Sequence, residues 1–216
     1  MKRLPCAVQV ALLALSLVLF AALTGCSSAG GPSPSSSGLN DQTGAGPYQG
    51  VGLEPARPRP SFTLTDTSGA RFPFGDRTGG HPTLLYFGYT RCPDICPATM
   101  ADIALALKKL PMPIQRKTYV VFVSTDVKHD TGPVLGRWLK NFAAGQHAKF
   151  VGLRGTKAQI DAAQAAAHVF LAEDGGQTHS AQVLLYGSDD YARVSFVYDG
   201  TGEQAQIEHD LPLVAG

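Results

Sequence analysis

The chain predicts an α/β domain, with strands and helices alternating around one sheet. Residues 83–89 and 118–123 are apolar on both faces, as buried parallel strands require. After the first run, Met100, Ile103, Ala104, Leu107 and Leu110 recur at helical spacing; after the second, Val134, Leu135, Trp138, Leu139 and Phe142 do the same. Strand, helix, strand, helix implies crossover connections that cover the sheet.

The other elements follow in chain order. Residues 62–65 alternate like a strand, Asp66, Thr67, Ser68 and Gly69 supply turn chemistry, and Arg71 and Phe72 return, so a hairpin opens the domain. A further strand is expected at 150–153, a helix across 158–167, and a closing pair of strands at 182–186 and 193–198. Trp138 and Phe142 lie four apart on one helix face and read as core. Pro212 interrupts the C-terminal stretch, which predicts a stunted last element rather than a long closing helix.

The 216 residues suit one domain plus extensions, and the N-terminus is an extension. Lys2 and Arg3 precede an apolar run, 7–23, whose only strongly polar member is Gln9, the pattern of an export signal. The run ends in Leu23, Thr24, Gly25 and Cys26, which looks like a bacterial lipobox. Residues 1–25 then form a lipoprotein signal peptide that takes Cys6 with it, and Cys26 becomes the lipidated first residue, holding the domain at the membrane. From 27 to 50 there are six Ser, six Gly and three Pro, with no apolar run to offset the entropy of ordering them. Residues 26–57 therefore read as the lipidated Cys and a flexible tether, with a coil dimension of roughly 25–30 Å for residues 27–50. Folding is expected to begin near residue 58, giving a domain over 58–216. Eighteen basic and seventeen acidic residues give a formal net charge of +1, and without a Lys/Arg cluster this argues against nucleic-acid binding.

The sharpest feature is Cys92-Pro93-Asp94-Ile95-Cys96-Pro97, directly after a buried strand and at the start of a helix, where α/β folds place chemistry. Helical positions i and i+4 lie about 5–6 Å apart at Cβ, close enough to share an ion and, with adjustment, to form a disulfide. Arg91 and the exposed helix amides are expected to favour thiolate, which is both nucleophile and metal ligand. A bridge closing so small a loop would stabilise the fold little, so the pair reads as functional rather than structural. Two thiolates are soft metal ligands, and an imidazole could complete a set of three. Spacing alone selects none of His81, His129, His147, His168, His179 and His209 as the third group. Asp126 and Asp130 follow a strand and read as caps or turn formers.

Several of these segments together resemble the Sco/SenC family of copper-binding assembly proteins. They are the 60–69 block (Pro-Ser-Phe-Thr-Leu-Thr-Asp-Thr-Ser-Gly), the 85–97 block ending in Cys-Pro-Asp-Ile-Cys-Pro, Val123-Ser124-Thr125-Asp126, Asp130-Thr131 and His179-Ser180. The resemblance runs over nearly all of 58–198. It implies a thioredoxin-like fold, with a central mixed sheet flanked by helices and an N-terminal β-hairpin. It also implies copper, Cu(I) or Cu(II), held by Cys92, Cys96 and His179, and its delivery to cytochrome c oxidase subunit II. A copper donor and a thiol reductant are implied partners, because copper needs both thiols of a potential Cys92–Cys96 redox disulfide reduced. His179 lies on a Gly-rich loop before a strand; His129 is the second choice. The alternative is a thiol–disulfide oxidoreductase acting on exported cysteines. Against it stand three residues rather than two between the cysteines, and the lack of any Pro between Pro133 and Pro212. A peroxidase fits worse, because one residue rather than two separates Thr90 from Cys92.

Overall fold

The computed structural model describes residues 46–216; the expected signal peptide, the expected lipidation site Cys26 and the first part of the expected tether lie outside the described residues. The elements are β1 (Val51–Pro58), β2 (Thr63–Asp66), β3 (Arg71–Pro73), α1 (Phe74–Thr78), β4 (Thr83–Gly88), α2 (Ile95–Lys109), α3 (Met112–Lys117), β5 (Tyr119–Ser124), α4 (Gly132–Ala143), β6 (Lys149–Arg154), α5 (Lys157–Ala166), β7 (Gln182–Tyr186), β8 (Tyr191–Val197) and α6 (Gln204–Val214). One sheet runs in the order β1-β8-β7-β4-β5-β6-β2-β3. Strand β4 is parallel to β5 and antiparallel to β7, and β7 is antiparallel to β8. Within it, β4-α2-β5 followed by β7-β8-α6, in sheet order 8-7-4-5, is the thioredoxin-like motif. The segment α4-β6-α5 is inserted between its halves, and the expected hairpin, β2-β3, joins the sheet through β6.

Alternation along the central strands divides the core between the two faces of the sheet. Leu84 and Tyr86 of β4, with Val120 and Phe122 of β5, pack under Met100, Ile103 and Leu107 of α2 and Ile207 and Leu211 of α6. Leu85, Phe87, Val121 and Val123 face the other way, onto Ile160 and Ala163 of α5 and Phe72 and Phe74. Trp138 and Phe142 pack against the first cluster, as expected, with ring centroids 4.8 Å apart. Helix starts are chemically marked: the Thr131 side chain accepts from Val134 N–H at α4, and Thr156 with Gln159 forms a capping box at α5.

Two expectations are corrected. Folding begins before residue 58, because 51–57, assigned to the tether, form most of β1, an edge strand antiparallel to β8 with a bulge between Gly52 and Arg57. Its Pro and Gly content is compatible with a bulged edge, where few ladder donors are required. The entry to β1 is tied down by the buried Asp210 carboxylate, which accepts from Gln49 N–H and Gly50 N–H, both at 2.8 Å. The last element is also not stunted: α6 runs for 11 residues and continues through Pro212 in its final turn, which forgoes the one bond that the missing N–H would have made.

The α2–α6 contact contains a carboxyl pair. Burial, reinforced by neighbouring Asp102, pushes Glu203 from the ordinary 4.5 up to about 7. The folded chain thus holds this proton more tightly than the unfolded chain, so stability falls as pH rises from 4.5 through about 7. Glu203→Gln is expected to raise the melting temperature at pH 8 by roughly 2–4 °C and to change it little at pH 4. Thermal unfolding at the two pH values checks this; equal shifts at both would contradict it.

Candidate metal centre

The β4–α2 loop presents the two cysteines at unequal depth. Cys96 sits in the first turn of α2, fully buried, and Cys92 is half-buried in the preceding loop. Cys92 is therefore not a helical i, i+4 partner. Its sulfur instead accepts the Cys96 N–H at 3.4 Å, doing the work of a helix cap that the Asp94 side chain does not perform. Both thiols are free. Gly88, the last residue of β4, makes the space: a Cβ there would lie 2.8 Å from Cys96 Sγ.

The imidazole arrives from a distant part of the chain. His179 lies on the loop between α5 and β7, where Glu173 and Thr178 form an isolated antiparallel bridge around a short 3₁₀ turn, Asp174–Gly176. Gly176, at φ +97°, rests on the chain after β5 so closely that a Cβ would lie 2.0 Å from the Thr125 carbonyl oxygen. The Thr125 hydroxyl donates to Gly176 O at 2.6 Å, and Thr125 N–H donates to Gly88 O at 2.8 Å. One residue thereby connects the root of the cysteine loop to the histidine loop.

The result is a compact donor set: one ligand atom each from Cys92, Cys96 and His179, all within 4.8 Å of one another. His179 Nδ1 donates to the Ser180 carbonyl at 2.9 Å, which fixes the tautomer and leaves the Nε2 lone pair free. Nε2 lies 3.4 Å from Cys96 Sγ. Burial pushes His179 down, so the ring is neutral near neutral pH, and burial pushes the Cys96 thiol up to about 12. In the metal-free state the Cys96 S–H therefore donates to Nε2. The expected activation of both thiols by Arg91 and the helix start fails at Cys96, because desolvation outweighs the helix start.

Arg91 is committed elsewhere. Its guanidinium meets the buried Asp126 carboxylate at 3.1 Å, and His129 Nδ1 meets the same carboxylate at 2.9 Å. Burial alone would raise Asp126, but hydrogen bonds from His129 and Arg91 hold it below the usual carboxylate range. His129 is thus Asp126's partner and stands outside the sulfur cluster. Asp130, also buried, accepts from Thr90 N–H at 2.9 Å, Thr90 Oγ1 at 2.6 Å and Ser124 Oγ at 2.6 Å. It staples the cysteine loop to the end of β5. Sequence reasoning missed Tyr86, whose hydroxyl donates to Cys96 Sγ at 3.6 Å, together with Gly88, Thr125 and Gly176.

Two soft sulfur donors and one neutral imidazole at the C-terminal edge of a parallel strand pair define a thioredoxin-like protein with a thiol–imidazole metal centre. The SCO1/SenC family model matches residues 52–212. The chain belongs to the SCO1/SenC family. It is 34% identical to a SCO2-like protein of Rickettsia felis over 145 residues, 66% of this chain and 64% of that relative. The chain thus matches slightly less than two thirds of the length of that relative. Among solved structures, apo Sco1 from Thermus thermophilus matches with a TM-score of 0.64 and 28% identity, covering 77% of this chain and 96% of the other. Bradyrhizobium japonicum ScoI with copper bound matches with a TM-score of 0.56 and 26% identity, covering 72% and 98%.

Proposed function

We propose that this chain is an exported, lipid-tethered copper metallochaperone. It binds one copper ion through Cys92, Cys96 and His179 and helps assemble the copper centre of cytochrome c oxidase subunit II. The observation that carries the reading is the convergence of three donor atoms within 4.8 Å, two of them sulfur, from segments 83 residues apart. Copper is cargo here: two thiolates satisfy Cu(I), the imidazole adds a harder donor that helps retain Cu(II), and an incomplete protein ligand set leaves a side for an acceptor. The copper-bound relative supports the choice of metal. In this reading residues 1–25 are removed, Cys26 carries lipid, and the tether keeps the domain near its membrane partner. A copper donor supplies the ion, and a thiol reductant returns a Cys92–Cys96 disulfide to two thiols. Titration of the reduced chain with Cu(I) and with Cu(II), by competition with a chelator, tests it. One tight ion per chain is expected; stoichiometry below one, or binding no tighter than by a chain lacking both cysteines, would overturn it.

The thiol chemistry makes binding pH-dependent. Cys96 holds its proton up to about pH 12 in the metal-free protein, so copper must displace that proton. Apparent affinity is expected to rise with pH by up to about tenfold per unit across the neutral range. Chelator competition at about pH 6 and about pH 8 checks this. A pH-independent affinity would contradict the displacement.

The second reading, a thiol–disulfide oxidoreductase, has one observation in its favour: a half-exposed Cys92 lies beside a buried Cys96, with both thiols free. The reduction potential of the pair tests it. A potential too high for the dithiol to reduce disulfides of exported proteins would remove this reading.

A further inference from the structure

We propose that the Tyr86 hydroxyl is a positioning donor to the Cys96 sulfur that biases the centre toward Cu(I) over Cu(II). The inference rests on the copper reading above and adds a protein group to it.

Tyr86 lies in the middle of β4 and is fully buried, as is Cys96. Its hydroxyl reaches Cys96 Sγ at 3.6 Å. The ring cannot swing away, because it stands edge-on to Phe122 at 5.7 Å and to His179 at 6.2 Å. Strand and core therefore aim the O–H at this sulfur whether or not metal is present. A phenol keeps its proton across the neutral range, so the group is a donor there. The two sulfurs are thus polarised differently: Cys92 receives a backbone N–H and Cys96 a side-chain O–H.

Such a bond has a definite electronic effect. A thiolate gives more charge to Cu(II) than to Cu(I), and a donor on the sulfur withdraws part of that charge. The bond therefore costs the Cu(II) state more than the Cu(I) state and raises the potential of the one-electron couple Cu(II) + e⁻ → Cu(I). A phenylalanine would pack equally well in so apolar a wall; the hydroxyl is the part that packing does not explain.

Tyr86→Phe keeps the ring and removes the bond. In the purified, reduced full chain, the ratio of Cu(I) to Cu(II) affinity is expected to fall by about tenfold, in the range that other groups bonded to metal ligands produce. The thiolate-to-Cu(II) absorption should move to longer wavelength, and the Cu(II)/Cu(I) potential should fall. Thermal unfolding of the metal-free variant separates this from loss of fold. A fluorinated tyrosine at position 86, a stronger donor, should move band and potential the opposite way, so the test survives a poorly folded phenylalanine variant. If the wild-type chain takes up neither Cu(I) nor Cu(II), the copper reading itself has failed. If it binds copper but Tyr86→Phe leaves affinity ratio, band and potential unchanged, copper stands and the role given to Tyr86 is overturned.

Discussion

Cys96→Ala is expected to abolish tight copper binding while leaving the domain folded. The argument is one of depth. Cys96 Sγ is buried against Gly88 and is the atom on which Tyr86 and His179 converge. Removing a group that merely supports a metal ligand costs about 10- to 100-fold in affinity, so removing this sulfur costs more. Among the described residues no His, Cys, Asp or Glu beyond Cys92 and His179 joins this cluster, so none takes its place. The substitution deletes one buried sulfur and creates a small cavity, a cost of about 1 kcal/mol that leaves the fold intact. Chelator competition with Cu(I), paired with thermal unfolding, checks both halves. Retained binding within a few-fold of wild type would contradict the account.

Gly176→Ala is expected to cost nearly as much in the Cu(II) state without touching a ligand. A Cβ at 2.0 Å from the Thr125 carbonyl lies far inside the roughly 3.5–4 Å of ordinary carbon contact, and φ +97° adds backbone strain. The obstruction is backbone, so the histidine loop must lift, breaking the 2.6 Å Thr125–Gly176 bond and carrying His179 three residues further along. Displacement of a ligand by even about 1 Å is functionally severe in sites held by their supporting shell. The Cu(II) spectrum of Gly176→Ala should therefore resemble that of His179→Ala, while Cu(I), satisfied by two thiolates, should be held nearly as well as before. A wild-type Cu(II) spectrum would mean that the loop absorbs the methyl group elsewhere and that Gly176 does not set His179.

Much of this was legible in the chain. Strands β4 and β5 announce themselves as runs apolar on both faces, and α2 and α4 by spacing, because their burial is a local pattern. Strand β1 does not: Gly52 and Pro55 read as tether, and its pairing partner, β8, lies more than a hundred residues away. Helix α6 was hidden by Pro212, whose cost depends on a position within the helix that sequence does not reveal. The cysteine pair was legible from its spacing, whereas His179 was distinguished from five other histidines mainly by resemblance, with its place on a Gly-rich loop before a strand as the only local sign. Of the groups that hold the centre, Tyr86, Gly88 and Thr125 lie within segments that carry the resemblance and Gly176 lies outside them, but none announces its role, since each matters through a close approach made only in the folded chain. Arg91 illustrates the converse. Its proximity in sequence promised an activated thiol, yet it turns to Asp126, and burial decides the state of Cys96.

X-ray absorption at the copper edge of the Cu(II)-loaded chain, compared with His179→Ala, tests the central claim most directly, because it counts the atoms around the metal. The account predicts two sulfur neighbours and a histidine nitrogen in the wild type, with the imidazole contribution lost in the variant and both sulfurs retained. A single sulfur neighbour, or an imidazole signal that survives the substitution, would contradict a centre built from Cys92, Cys96 and His179.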